Sequence, residues 1–144
     1  MKKLKVSTWA GITAVLIAAG VFIIGNIQNS IRKPDKNTLI FEGDNTAEAW
    51  IDIVIQGEDG IMYFGNMLLK DSAPTMSDVV KTINDCDKGV SIDVGHNGII
   101  IAVNEYRNGK KHHWSIYINN SEIPTNDVNA IRVNDYDGIT LIFK

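Results

Sequence analysis

Residues 50–56 read WIDIVIQ, with Ile51, Ile53 and Ile55 facing one way and Asp52, Val54 and Gln56 the other. This period of two predicts a half-buried strand. The turn GEDG follows, and residues 61–69, IMYFGNMLL, complete a hairpin with Gly65 at an expected bulge or bend. The period then changes. In APTMSDVVKTINDC, Met76, Val79, Val80 and Ile83 recur at helical spacing. Thr75 or Ser77 supplies a cap, Asp78 suits the first turn, and the helix is expected to end near Asp85. Alternation returns in VSIDVGH, an Asn-Gly turn follows, and residues 99–106 predict another strand. RNGKK reads as a loop, WSIYIN as a strand and residues 120–133 mostly as loop, with Ile123 and Val128 tucked in. NDYDG is a turn before a last strand, ITLIF. A hairpin, one amphipathic helix and several strands predict an α+β body: a mixed sheet covered by one main helix.

Upstream the pattern is different. Residues 6–25 form a run of 20 without charge, preceded by Lys2, Lys3 and Lys5. A helix of that length measures about 30 Å, so an N-terminal transmembrane helix is expected before the body. Lysines on the short leading side favour a single-pass protein with an extracytoplasmic C-terminal body. The membrane is thus a predicted partner. Secretion after signal cleavage is the alternative, although no clear A-x-A site follows the run. The expected organisation is an anchor or signal over 1–25, a linker over 26–48 and a domain over 49–144. Within the linker, Leu39 to Phe41 is a short apolar run that either adds an edge strand or docks.

Charge divides along the same boundary. The chain has a formal net charge of −3, but residues 1–34 carry five basic residues and no acid. Residues 35–144 hold all 17 acids against nine basic residues, which leaves −8. An acidic body argues against nonspecific nucleic-acid binding. Cys86 is the single cysteine, so an internal disulfide, a CxxC redox pair and a cysteine-based zinc cluster are excluded. It reads as a small buried residue or as a reactive thiol.

The densest chemistry lies in HHWSIYINNSE, residues 112–122. His112 and His113 are adjacent, so on a strand they face opposite ways and do not readily share a metal. Trp114, Ile116 and Ile118 share one face; Ser115, Tyr117 and Asn119 share the other. Trp114 reads as a packing residue or as a platform for a ligand. Tyr117 has the same two readings, with a hydroxyl that needs a polar partner. Asn119 and Asn120 suit a turn with positive φ. Asp135 and Asp137 fall short of a calcium loop, which needs six to eight oxygens. The sequence contains no nucleophile elbow, Walker loop, HExxH or dinucleotide fingerprint. No enzymatic activity, catalytic residue, metal or cofactor is therefore expected.

Trp114, Tyr117, Ile118 and Asn119, followed by Asp137-Gly138 before the final strand, resemble the transcobalamin C-terminal-like family of domains, also found in bacterial surface proteins. Asn120 stands where the family has glycine, and Asp137-Gly138 reverses its Gly-Asp pair. Pro74 to Val80 is similar to the family's helix start. The resemblance spans residues 49–144 and implies a β-grasp-like fold with a binding role. The expected function is a membrane-tethered binding or assembly domain, with a cobalamin-like or other small-ligand accessory protein as the alternative. A hydrolase with a noncontiguous site ranks last. The expected contact residues for a protein or small-ligand partner are Trp114, Tyr117, Asn119, Asn120, His112 and His113.

Overall fold

The computed structural model describes residues 32–125 and 127–144, of which Lys33–Lys144 form one compact unit. Ten elements follow in order: β1 (Leu39–Glu42), β2 (Ala49–Gly57), β3 (Gly60–Lys70), α1 (Met76–Asp85), β4 (Ile92–Val94), β5 (Ile100–Val103), β6 (Tyr106–Arg107), β7 (Trp114–Ile118), β8 (Ser121–Glu122) and β9 (Gly138–Phe143). Six strands form a mixed sheet in the order β1-β3-β2-β9-β7-β8, and β4-β5-β6 form a second, three-stranded sheet.

The centre of the large sheet is a parallel pair, β2 with β9, in register from Asp52↔Gly138 to Gln56↔Ile142. On the far side of β2 lies its hairpin partner β3, antiparallel to it. With neighbours on both edges, β2 is more buried than its alternation predicts. Ile51, Ile53 and Ile55 are fully buried, and Val54, on the opposite face, is 1% exposed. The bulge or bend expected at Gly65 falls elsewhere on the same strand, at Met62, where Ile55↔Tyr63 is followed by Gln56↔Ile61. Gly65 serves a different need: a Cβ there would stand 2.5 Å from the Tyr63 hydroxyl, so glycine lets that side chain lie across the strand.

The predicted helix is present, and its stripe of Met76, Val79, Val80 and Ile83 is buried. Each such side chain contributes ~1.5–3 kcal/mol of transfer free energy. The Asp78 carboxylate accepts hydrogen bonds from the Thr75 amide (2.8 Å) and the Thr75 hydroxyl (2.9 Å), fixing the first turn. Two further amides at this end find carbonyls in the long loop: Met76 N–H donates to Ile131 O and Ser77 N–H to Val128 O. These bonds give unpaired helix-end donors their partners. They also pin residues 128–131, where Val128 and Ile131 are buried.

The smaller sheet was not anticipated as separate. β4 is three residues long and its ladder slips between Asp93 and Val94. Asn108 and Trp114 make the junction with the large sheet. Asn108 Nδ2 donates to Ile100 O (2.8 Å), and Asn108 Oδ1 accepts from the Trp114 amide (2.8 Å).

The expected architecture is thus an α+β body with a mixed sheet and one major helix, and that part is present. The membrane-bound version of it is corrected. Among the described residues, no helix is long and apolar enough to cross a membrane. α1 has ten residues, about 15 Å of helix, and one face of it is polar. The tether, the membrane as partner, the signal-anchor character and the single-pass extracytoplasmic placement therefore find no support in the structure. The span expected at residues 6–25 lies outside the described residues.

Candidate functional site

The six residues singled out on and around β7 do not form one site. His112 and His113 precede the strand, and Asn119 and Asn120 follow it. Five strand residues separate the pairs, roughly 17 Å. His112 stacks on Phe143 (centroids 5.7 Å apart) and places Nδ1 3.3 Å from Glu58 Oε1. His113 is exposed, and its backbone exchanges two hydrogen bonds with Lys144.

Trp114 is 1% exposed and belongs to the core. Its indole N–H donates to Tyr106 O at 2.8 Å, which ties β7 to the small sheet. Stacking on a ligand is closed to a side chain so placed. Tyr117 lies on the opposite face of the strand. Its hydroxyl accepts from Lys144 Nζ (3.1 Å) and donates to Glu122 Oε2 (3.2 Å), and the same ammonium sits 5.4 Å from the ring centroid. Lys144 bonds Glu122 at 2.8 Å. That ammonium is the main reason Glu122 titrates below the usual glutamate value, and Glu122 in turn raises Lys144.

Asn119 and Asn120 have φ of 51° and 67°. They form the two-residue turn between β7 and β8, where paired positive φ favours asparagine over other side chains. Asn119 has a second role. Its Nδ2 donates to Asp137 Oδ1 (2.8 Å), and its Oδ1 accepts from the Gly138 amide (2.9 Å). Asp137, buried, also accepts from the Asn134 amide (2.8 Å). The turn after β7 and the turn before β9 are therefore locked to each other. The chemistry available here is cohesion, because these polar atoms are occupied by one another.

An open site lies at the other end of the sheet. Among the described residues, β1 is the terminal strand there. It runs parallel to β3 from Leu39↔Met67 to Glu42↔Lys70, so alternate residues turn their N–H and C=O groups away from the sheet. Leu39 is buried and Phe41 packs against the core, whereas Ile40 is 41% exposed. Beside this edge is a groove of about 490 Å³. Residues 38–42 form one wall; Lys81, Thr82, Asp85 and Cys86, on and after α1, form the other.

Both ends of the strand are held by aspartates. Upstream, Asp35 Oδ1 accepts from the amides of Asn37 (2.8 Å) and Thr38 (3.0 Å). Downstream, Asp44 accepts from the Ser72 and Thr46 hydroxyls and from both their amides. Ser72 is the largest reason the Asp44 carboxyl lies far below the ordinary aspartate value, while the Asn37 amide leads for Asp35. The strand is therefore short and well defined, Leu39–Glu42. The sequence signal for it was the Leu39 to Phe41 run, which left docking and strand formation equally open.

Among the described residues, no group of three or more His, Cys, Asp or Glu side chains is arranged to hold a metal ion. Asp135 takes the Trp50 amide at 2.7 Å, and Cys86 donates its thiol to Ile83 O at 3.0 Å. No family model matches the chain, and no curated protein matches it.

Proposed function

We propose that the protein is a recognition domain that takes an extended polypeptide segment as an added strand on β1. The observation that carries this reading is the outer edge of β1, which meets no other strand among the described residues, beside a groove whose far wall is α1. In strand addition the backbone ladder supplies affinity, and alternate side chains of the incoming segment fill the adjoining groove. The segment 38–42 is pre-organised for it by the aspartate-held turns at both ends, which reduces the ordering cost of binding. No covalent step belongs to this reading. The resemblance to transcobalamin C-terminal-like domains is retained within it as an indication of a binding role. Among the residues that carry the resemblance, Trp114, Asn119 and Asp137-Gly138 shape the body rather than the contact surface.

Hydrogen exchange tests the reading. The full chain is followed across a concentration series, then with a pool of synthetic peptides carrying apolar residues at alternate positions. Slowed exchange confined to residues 38–42 and 81–86, in either series, supports strand addition. Unchanged exchange there in both series overturns it.

A further inference from the structure

We propose that the segment received by β1 is the β1 strand of a second copy of this chain, paired antiparallel across a twofold axis through Ile40. The inference rests on the strand-addition reading and names its partner. Three observations favour a copy over an unrelated segment.

The first is the character of the edge. Sheets guard against self-pairing with proline, lysine or a bulge on the edge strand. Leu39–Glu42 contains no proline or lysine, and its register with β3 runs without a shift.

The second is register. Residues opposite each other in an antiparallel ladder share a face. A twofold axis normal to the sheet must therefore pass through a residue, not between two. An axis through Ile40 opposes Ile40 to itself, Leu39 to Phe41 and Thr38 to Glu42. The exposed apolar side chain meets its own copy, and the two inward-facing apolar residues meet each other. An axis through Phe41 would set the exposed apolar Ile40 against the charged Glu42.

The third is charge. On the helix wall of the groove, Lys81 and Asp85 are one turn apart. A twofold normal to the sheet leaves both copies of α1 on the same side and antiparallel. Antiparallel copies of a Lys–Asp pair spaced by one turn are self-complementary in charge, as an isologous contact requires.

Cross-linking reads the register directly. In a Cys86→Ser background, Ile40→Cys places two thiols on the axis. Directly opposed antiparallel residues have Cα atoms about 4.5–5.5 Å apart, within the range of about 4.4–6.8 Å that a disulfide accepts. Glu42→Cys places its two copies more than about 13 Å apart along the strands. With the full chain in a glutathione redox buffer, Ile40→Cys is expected to form a covalent dimer and Glu42→Cys to remain largely uncrosslinked. Light scattering of the unmodified chain is expected to show a mass rising from one chain toward two with concentration. Ile40→Lys is expected to abolish that rise while circular dichroism stays unchanged. A monomer at every concentration overturns the dimer, as does equal cross-linking of both cysteine variants. In the monomer case, peptide-induced protection of residues 38–42 leaves the strand-addition reading standing, and its absence removes both.

Discussion

The two ends of the large sheet carry opposite kinds of surface. At the β7–β9 end the sequence is rich in groups that do chemistry: an indole, two asparagines, aspartates and two histidines. At the β1 end it is plain, LIFE between two turns. In the folded chain their standing reverses. Trp114 Nε1, both polar atoms of the Asn119 side chain and both oxygens of Asp137 have protein partners. The β1 edge has hydrogen-bonding capacity in its backbone and an exposed isoleucine beside a groove. Buried polar groups are bonded as a rule, so a cluster of reactive residue types marks a site only when some of them remain available.

The largest expected effect falls on the cohesive end. Trp114→Ala removes a fully buried ring and is expected to cost about 3–5 kcal/mol. Trp114→Phe keeps most of the ring but removes the indole hydrogen bond to Tyr106 O, a loss of about 0.5–1.5 kcal/mol. Both are read as shifts of the urea midpoint. Equal, negligible shifts for both variants would remove Trp114 from the junction.

Asn119 comes next. Asn119→Ala loses both side-chain hydrogen bonds and forces a non-glycine residue without polar help to φ near 51°. The expected cost is about 1–3 kcal/mol. Asn119→Gly relieves the backbone strain and is expected to recover part of that loss. If glycine is no better than alanine, the turn conformation is not what Asn119 supplies.

The β1 end is expected to respond in the reverse sense. Ile40→Lys leaves the fold within about 0.5 kcal/mol of the parent, as exposed substitutions usually do, yet abolishes association. A large drop in stability with association intact would erase the contrast between the two ends.

The smallest effect is on pH dependence. Asp44 and Asp35 titrate below the ordinary aspartate value of 3.8 in the folded chain. Their contribution is therefore fully present above 3.8 and is lost as the pH falls toward their lower folded values. Urea midpoints taken down through this range are expected to decline for the parent. Asp44→Asn, which has no carboxylate to protonate, is expected to show a shallower decline. Parallel curves would mean that the Asp44 knot adds nothing to the acid sensitivity.

What the sequence determined by itself was local. Alternation in residues 50–56, the helical stripe from Met76 to Ile83 and the asparagine turn at 119–120 each follow from near neighbours and backbone preferences. All three are present in the folded chain. The charge-free run at residues 6–25 was equally legible as a pattern, and it lies outside the described residues. The tertiary structure alone decided the rest: the parallel pairing of β1 with β3, the division into two sheets, and the bond from Asn119 to Asp137, 18 residues away. It also decided that β7 lies between β9 and the short β8, whereas β1 meets only β3 among the described residues. Period and turn chemistry set the conformation and inward face of a segment. Whether its outer backbone atoms meet another strand depends on where distant parts of the chain come to rest.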